Sequence, residues 1–359
     1  MHRRYAPALL AAAAFIFAAP LAAQMGAMPQ GQPGIPSSGV KPVAANQAVL
    51  DALKAMNMKP IHTLEPVEAR LQPTFADGVK AVLTQQGKPT TPPPGVNATD
   101  ITVRGAAGPL HAKLYKPAAP RAGRLPVILY FHGGGWVIAS SAVYDSSPRA
   151  LVRETGAIVI SVDYRLAPET KFPGQHDDAY AAYQWALANA ASLGGDPAKM
   201  VLAGESAGGN LAVATAIAAR AAGKPLPVAI LAVYPVAGTD LNTPSYQENA
   251  NAMPLSRAGI AWFVYHTTRS PADASDPRLN LVAADLHGLP PVTIIAAQID
   301  PLRSDGQMLE AKLRAAGVKV TRREYPGTTH EFFGADAVIP EALAAQQFAG
   351  AQLRTALGK

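Results

Sequence analysis

The sequence predicts an α/β protein with a mostly parallel central sheet and helices on both faces. Three observations support this class. With 359 residues, of which 49% are hydrophobic, the chain is long enough for one large core. Its apolar runs have the length and continuity of strands buried on both faces, and segments of helical period separate them. These runs are residues 127–131, 157–162, 199–203, 228–233 and 292–297.

The first 23 residues are typical of a secretory signal peptide. Charged residues at positions 2–4 precede an apolar run over residues 8–19, and Ala23 ends a small-residue cleavage site. That run is shorter than the ~18–20 residues of a membrane-spanning helix, and an uncleaved anchor is the alternative. We therefore expect export, with a periplasmic or secreted protein after cleavage near Ala23 and no stable membrane insertion.

Residues 24–98 are predicted to contain a disordered start, N-terminal helices and a linker. Residues 24–40 are rich in Gly, Pro, Met and Gln. Apolar residues recur at helical spacing over residues 46–56 and 74–83. Residues 87–99 contain the run P-T-T-P-P-P-G, which is typical of a stiff linker.

Residues 99–359 are predicted to form the main domain. It begins with a hairpin around residues 105–108, continues with the buried strands named above and ends in a helix over residues 340–357. Further helices are predicted over residues 146–154, 176–191, 209–217 and 304–316, and a strand over residues 318–325.

A G-x-S-x-G pattern at residues 204–208 lies between the strand over residues 199–203 and the alanine-rich helix that follows it. Such a strand–turn–helix unit presents a nucleophilic hydroxyl, here that of Ser206, at the edge of the sheet. About 0.1 matches to this pattern are expected in a random ordering of the same composition, so the pattern alone is only suggestive.

The run H-G-G-G-W at residues 132–136 directly follows a predicted strand and is far more specific, with about 0.005 chance matches to H-G-G-G. Glycines leave backbone N–H groups unhindered. The N–H groups of Gly133, Gly134 and Gly135 are therefore predicted to bind a developing oxyanion together with the N–H of Ala207.

A serine of this kind needs an acid and a base as partners. Asp300 follows the strand over residues 292–297, and His330 follows the strand over residues 318–325 through a short loop. Both lie at strand ends, where α/β proteins place ligands, in the chain order Ser, Asp, His. We predict that Ser206 attacks an acyl carbon, that His330 transfers the proton and that Asp300 orients the imidazole. The main domain is therefore predicted to be catalytic.

Other kinds of site find little support in the sequence. No H-E-x-x-H or comparable ligand spacing is present, so we expect neither a metal nor another cofactor. The net charge is +6 with scattered basic residues, which argues against nucleic acid as a partner.

On these motifs the chain resembles the bacterial hormone-sensitive-lipase-like (family IV) carboxylesterases of the α/β-hydrolase superfamily. The matching segments lie within residues 100–357 and include, besides the motifs above, residues 163–169 (D-Y-R-L-A-P-E), 300–303 (D-P-L-R) and 325–334. The resemblance implies an α/β-hydrolase fold without a cofactor. It also implies hydrolysis of esters with short to medium acyl chains through an acyl-enzyme intermediate.

The resemblance further implies a lid, or cap, made of residues 41–90 and an insertion at about residues 235–275. Trp136, Trp262 and Phe263 could line the pocket of a small-molecule ester, and aromatic residues at such spacing are equally typical of a packed helix. An amidase, a peptidase or a lactonase on the same triad stays open, as does a non-catalytic binding protein on this scaffold. The oligomeric state, a homodimer included, is also open.

Two departures from the family pattern lie beside the predicted triad. Position 205 is Glu where the family usually has Asp or Thr, and position 331 is Glu where the family usually has Gly. A negative charge at Glu331 would raise the pKa of His330. The alternative expectation is that Glu331 faces solvent, as most Glu side chains do.

Overall fold

A computed structural model describes residues 39–119 and 122–359 of the chain. The predicted signal peptide and residues 24–38 of the predicted disordered start lie outside the described residues. Within the described ranges, no helix is both long and apolar enough to cross a membrane.

Eight strands form a single sheet. They are β1 (Val96–Arg104), β2 (Pro109–Pro117), β3 (Leu125–Phe131), β4 (Ile158–Val162), β5 (Gly195–Glu205), β6 (Ala229–Val233), β7 (Val292–Ile299) and β8 (Val320–Thr329). Their order across the sheet is β1-β2-β4-β3-β5-β6-β7-β8. β2 runs antiparallel to both of its neighbours, β1 and β4. All other neighbouring strands in the sheet are parallel to each other. The predicted mostly parallel sheet, with its initial hairpin, is confirmed.

Ten α-helices accompany the sheet in the described part of the chain. They are α1 (Ala44–Ala55), α2 (Pro66–Ala69), α3 (Phe75–Gln85), α4 (Ser146–Thr155), α5 (Gly174–Asn189), α6 (Ala207–Ala221), α7 (Pro244–Glu248), α8 (Arg257–Thr267), α9 (Arg303–Ala315) and α10 (Pro340–Ala356). Hydrophobic periodicity does not predict α2 and α7, because four or five residues are too few for a helical repeat to show.

Three strands extend at least four residues beyond an end that the sequence pattern predicts. β1 begins at Val96, inside the segment predicted to be a stiff linker, and β5 begins at Gly195. β8 continues to Thr329, where a loop was expected. Pairing with the neighbouring strand explains the extensions of the two edge strands, β1 and β8, since Val96 pairs with Pro117 and Thr329 pairs with Ile299. Such non-local pairing leaves no mark in the local alternation of side chains.

Both faces of the sheet are buried. Along β3, Val127, Leu129 and Phe131 belong to one hydrophobic cluster with side chains of α5, α6 and α9. Ile128 and Tyr130 belong to a second cluster with side chains of α4 and α10, and of α1 and α3. This alternation follows from the two-residue period of a strand, and coverage of both faces is what a parallel sheet requires.

A third hydrophobic cluster joins the two segments that the sequence assigns to a cap. It contains Ala69 of α2, Tyr246 of α7, and Trp262 and Phe263 of α8. Val137, from the loop after β3, belongs to the same cluster. The cap segments therefore pack on each other and on the loop that carries the H-G-G-G motif.

Helix α6 begins in contact with the end of β3, and Gly208 permits this approach. A Cβ at Gly208 would collide with the carbonyl oxygen of Phe131 and crowd that of His132. A Cβ at Gly306, in the first turn of α9, would have its nearest neighbouring atom 3.6 Å away, which is ordinary contact. The two helical glycines thus differ in the space around them.

We expect Gly208→Ala to lower the free energy of unfolding by ~2 kcal/mol or more, because the backbone of α6 or β3 must shift. Gly306→Ala should raise the free energy of unfolding by up to ~1 kcal/mol, because alanine favours a helix interior over glycine. Urea unfolding followed by circular dichroism measures both changes. Equal stability of the two variants would contradict the proposed close contact.

Candidate active site

Ser206 occupies a strained turn between β5 and α6. Its backbone angles, φ 57° and ψ −118°, lie in a region that residues other than glycine rarely adopt. The Ser206 N–H donates a hydrogen bond to the Val233 carbonyl at 2.8 Å, and the Ser206 carbonyl accepts one from the Val236 N–H at 3.2 Å. Hydrogen bonds to the end of β6 therefore hold the serine at the carboxyl edge of the sheet.

Asp300 and His330 leave neighbouring strands at the same level. Ile299 ends β7 and pairs with Thr329, which ends β8. His330 Nδ1 lies 2.7 Å from Asp300 Oδ2, and both side chains are buried. Asp300 Oδ1 accepts a further hydrogen bond from the Leu302 N–H at 2.8 Å. The carboxylate thus selects Nδ1 as the protonated nitrogen of a neutral imidazole, which leaves Nε2 free to accept a proton.

Carboxylates surround the His330 imidazole. Burial lowers the pKa of His330, but the charge of Asp300 and its hydrogen bond raise it, with further contributions from Glu331 and Glu205. The net shift of the His330 pKa is upward. The surroundings therefore stabilise the imidazolium, which is the species that forms when this residue takes a proton from a nucleophile.

Glu205, the residue before the serine, is buried against two tyrosine hydroxyls. Tyr130 donates a hydrogen bond to Oε1 at 2.5 Å, and Tyr234 donates one to Oε2. Burial raises the pKa of Glu205 to about 7, although these hydrogen bonds oppose the shift. The centroid of the Tyr234 ring lies 4.4 Å from that of His330. A single tyrosine ring therefore separates the Glu205 carboxylate from the imidazole.

Glu331 is held inside the site, so the expectation that it faces solvent is wrong. Its Oε1 accepts a hydrogen bond from the Tyr144 hydroxyl at 2.6 Å. Burial raises the pKa of Glu331, while the neighbouring His330 lowers it. Its backbone adopts φ 72°, a left-handed conformation in which glycine is the least strained residue. The partner, Tyr144, is 187 positions away in the chain, which is why local sequence gives no sign of it.

The glycine loop after β3 directs its carbonyl groups toward protein donors. The His132 carbonyl accepts from the Tyr164 hydroxyl at 2.9 Å, and the Gly133 carbonyl oxygen lies 2.8 Å from Nδ1 of His132. The Gly134 carbonyl accepts two N–H groups of the same loop, each at 3.0 Å. Because C=O and N–H point in opposite directions across a trans peptide, the amides of Gly133, Gly134 and Gly135 point away from these partners.

These three amides have no acceptor among the described residues. A fourth N–H belongs to Ala207, which as the first residue of α6 has no acceptor within the helix. The two turns touch, since a Cβ at Gly133 would lie 3.2 Å from the Glu205 carbonyl oxygen. The turn that carries the loop amides and the turn that carries Ser206 and the Ala207 N–H therefore lie next to each other. Such a set of amides can stabilise a negatively charged oxygen on an atom that the serine attacks.

The three aromatic residues predicted to line a substrate pocket have different surroundings. Trp136 is buried in the cluster that contains the β3 core. Trp262 donates from Nε1 to the Leu64 carbonyl at 3.0 Å and so links the two cap segments. Packing accounts for the burial of both side chains. Phe263 lies against the glycine loop, because a Cβ at Gly135 would overlap its ring.

Sequence reasoning missed the side chains that support the strand ends. Asn46, in α1, donates from Nδ2 to Thr329 Oγ1 and accepts from the Thr329 N–H, both at 2.9 Å. Asn249, after α7, donates to the Asp300 carbonyl at 3.3 Å. Asparagines in helical segments carry no local signal of such contacts. Likewise His176, in α5, is buried with Nε2 2.9 Å from Asn210 Oδ1.

The described residues lack the arrangement of side chains that a metal site requires. In residues 39–119 and 122–359, no group of three or more His, Cys, Asp or Glu side chains is arranged to hold a metal ion.

Known proteins resemble this chain in sequence and in fold. A family model described as an alpha/beta hydrolase fold matches residues 128–334. Carboxylesterase NlhH of Mycobacterium tuberculosis is 39% identical over 309 residues, which cover 82% of this chain and 96% of the relative. An ethyl acetate hydrolase of Pseudomonas putida is 31% identical over 301 residues, covering 82% and 92%. The crystal structure of a thermostable esterase from Pseudomonas putida ECU1011 superposes with a TM-score of 0.80 at 31% identity, covering 91% and 99%.

We expect Glu331→Gln to move the acidic limb of the pH–rate profile to lower pH. The Glu331 charge contributes to the raised pKa of His330, so its removal lowers that pKa and keeps the imidazole neutral in more acidic solution. The side-chain oxygen of the glutamine can still accept the hydrogen bond from the Tyr144 hydroxyl. The measurement is kcat/KM for an activated ester over a pH range of about 5 to 9, which spans the usual pKa of histidine.

The control is Glu324→Gln, which removes a carboxylate from β8 that pairs with Arg322 and does not act on His330. It should leave the acidic limb in place. An acidic limb that is the same in Glu331→Gln and in the wild type would show that Glu331 does not tune His330.

Proposed function

Because the chain belongs to the α/β-hydrolase family and hydrolyses carboxylic esters, we propose that Ser206, His330 and Asp300 carry out this reaction. Ser206 is the nucleophile, His330 the general base and acid, and Asp300 the residue that orients the imidazole. The observation that carries the proposal is the buried Nδ1–Oδ2 hydrogen bond of 2.7 Å between His330 and Asp300. It lies at the same sheet edge as the strained serine.

In the first half of the reaction, Ser206 Oγ attacks the ester carbonyl carbon while His330 Nε2 takes the hydroxyl proton. The carbonyl oxygen becomes negatively charged and accepts hydrogen bonds from the amides of the glycine loop and of Ala207. The Asp300 carboxylate stabilises the imidazolium without taking its proton. The tetrahedral intermediate then collapses, and the leaving alcohol receives the proton from His330.

In the second half, water hydrolyses the acyl-enzyme. His330 Nε2 takes a proton from the water as its oxygen attacks the acyl carbon, and the same amides bind the new oxyanion. Collapse of this intermediate breaks the bond to Ser206 Oγ, which regains a proton from His330. The carboxylic acid leaves, and the enzyme returns to its starting state.

The proposed substrates are esters with short to medium acyl chains. One relative is named for ethyl acetate, an ester with a two-carbon acyl group. In this chain, Phe263 of the cap lies against Gly135 of the glycine loop, which limits the space beside the bound acyl group. The cap segments also pack on one another through the third hydrophobic cluster. Together these contacts favour small acyl groups over long ones.

We expect Ser206→Ala to lower kcat for a 4-nitrophenyl ester by ~10⁴-fold or more, since the covalent pathway is lost. A fluorophosphonate should add to the wild-type serine and not to the variant, as seen by mass spectrometry of the intact protein. The control is Ser161→Ala, which changes a buried serine of β4 whose hydroxyl has no hydrogen-bond partner among the described residues. Near-normal turnover by Ser206→Ala would refute the assignment of the nucleophile.

A panel of 4-nitrophenyl esters graded from two to sixteen acyl carbons, with matched amides and lactones, tests the substrate class. We expect the largest kcat/KM at short or medium chain lengths, with the longest esters at least ~10-fold lower because an acyl chain too large for the pocket cannot bind without moving the cap. A preference for amides or lactones over every ester would replace the proposed class by one of the alternatives named above.

A further inference from the structure

Helix α8 of the cap contacts the glycine loop at Gly135 in two ways. The Phe263 ring covers the position that a Cβ would occupy. Thr267, the last residue of α8, donates from Oγ1 to the Gly135 carbonyl at 3.2 Å, and this contact is buried. The helix end is anchored in turn, because the Phe172 N–H donates to the Thr267 carbonyl at 2.8 Å.

Among the carbonyls of the glycine loop, that of Gly135 depends on the cap. His132, Gly133 and Gly134 have partners from the loop itself or from Tyr164 of the main domain. Within the described ranges, the Gly135 carbonyl has Thr267 as its only donor. The cap thus supplies a contact that the main domain does not.

Val137, two residues further along the loop, is also bound to the cap, through the N-terminal cap segment (residues 41–90). Arg70, at the end of α2, donates from Nε to the Val137 carbonyl at 2.9 Å and from Nη2 to the Ala167 carbonyl at 2.8 Å. Two further hydrogen bonds of 2.8 and 2.7 Å hold its guanidinium on Glu169. The loop is therefore anchored on both sides of Trp136, by α8 at Gly135 and by Arg70 at Val137.

These anchors matter because glycine has little conformational preference of its own. Gly135 adopts φ 57°, and without a Cβ it could adopt many other backbone angles. Its N–H shares a peptide with the Gly134 carbonyl, which is fixed by two hydrogen bonds at 3.0 Å. The next peptide is fixed through the Gly135 carbonyl by Thr267. The backbone torsions of Gly135 link these two peptides, so holding the second peptide limits the rotations by which the first could turn its N–H.

We propose that Thr267 is a positioning residue whose hydroxyl, with the Phe263 ring, holds the Gly135 peptide so that the loop amides face the oxyanion. This inference rests on the proposed function of Ser206 and the amides. Thr267 does not touch the reacting atoms, and it acts only through the Gly135 backbone. In consequence, the oxyanion site is complete only when α8 of the cap is packed against the glycine loop.

The test compares Thr267→Val, which removes the donor at nearly constant shape, with Thr267→Ser, which keeps it. Thr268→Val is the matched control, since the Thr268 hydroxyl at the same helix end donates to the Val264 carbonyl at 2.8 Å and not to the glycine loop. For each, kcat and KM are measured with a 4-nitrophenyl ester. Inhibition by phenylboronic acid, whose tetrahedral adduct with the serine places a charged oxygen among the amides, is measured as well.

We expect Thr267→Val to lower kcat by ~10-fold or more, with KM within ~3-fold of the wild-type value, because an imprecise donor stabilises the transition state less while leaving ground-state binding unchanged. The boronic acid should bind more weakly by a similar factor. Thr267→Ser should stay within ~3-fold of wild type in kcat, and Thr268→Val within ~2-fold, because neither loses the donor to Gly135. If Thr267→Val is insoluble, Thr267→Ala is judged by the same criteria.

The inference is overturned if Thr267→Val keeps its kcat, if only KM changes, or if Thr268→Val loses as much activity as Thr267→Val. These outcomes are distinct from failure of the proposed function. An active Ser206→Ala enzyme would remove the nucleophile and with it the basis of this inference. An inactive Ser206→Ala enzyme together with an unimpaired Thr267→Val enzyme would remove the positioning role alone.

Discussion

The register of the parallel sheet is the constraint on which every polar contact of the site depends. β3, β5, β7 and β8 run in one direction, so the residues that follow them emerge at one edge. Pairing of Ile299 with Thr329 puts Asp300 beside His330, and pairing of Phe131 with Gly204 puts the glycine loop beside the elbow. A slip of one residue would move a strand end by about 3.3 Å, which is more than the 2.7 Å bond between the triad partners.

The site concentrates acidic groups in a buried region, which normally costs free energy. Hydrogen bonds offset this cost. Tyr130 and Tyr234 donate to Glu205, and Tyr144 donates to Glu331. The result is an imidazole with Asp300 in direct contact and two more carboxylates nearby. This surrounding favours the protonated form of His330, and it thereby couples catalysis to the tyrosines that hold those carboxylates.

The glycines of the loop after β3 have two opposing effects on its amides. Without side chains, the amides of the loop are open to a ligand, but the same residues have little preference for one backbone conformation. The structure supplies the missing order from outside the loop. Tyr164 of the main domain holds the first carbonyl, and Thr267 and Arg70 of the two cap segments hold later ones. The cap segments therefore also shape the loop that carries the glycine amides.

Much of the fold was predictable because it is written in local patterns. Continuous apolar runs identify the strands that are buried on both faces, and turn motifs after two of them identify the elbow and the glycine loop. The strand ends were less predictable. The continuation of β8 to Thr329 comes from pairing with β7, and Glu331, which is half-buried, is held by a tyrosine far away in the chain.

The sequence by itself determined the fold class, and it predicted the proposed nucleophile motif and the chain order of its partners, because each depends on residues that are adjacent, periodically spaced or placed at strand ends. Only the tertiary structure decided which side chains hold those groups in place. Asn46 reaches Thr329, Thr267 reaches Gly135 and Tyr144 reaches Glu331. Such contacts are set by the packing of distant segments, and a single hydrogen-bonding side chain in a helix or loop has no local pattern that would announce its partner.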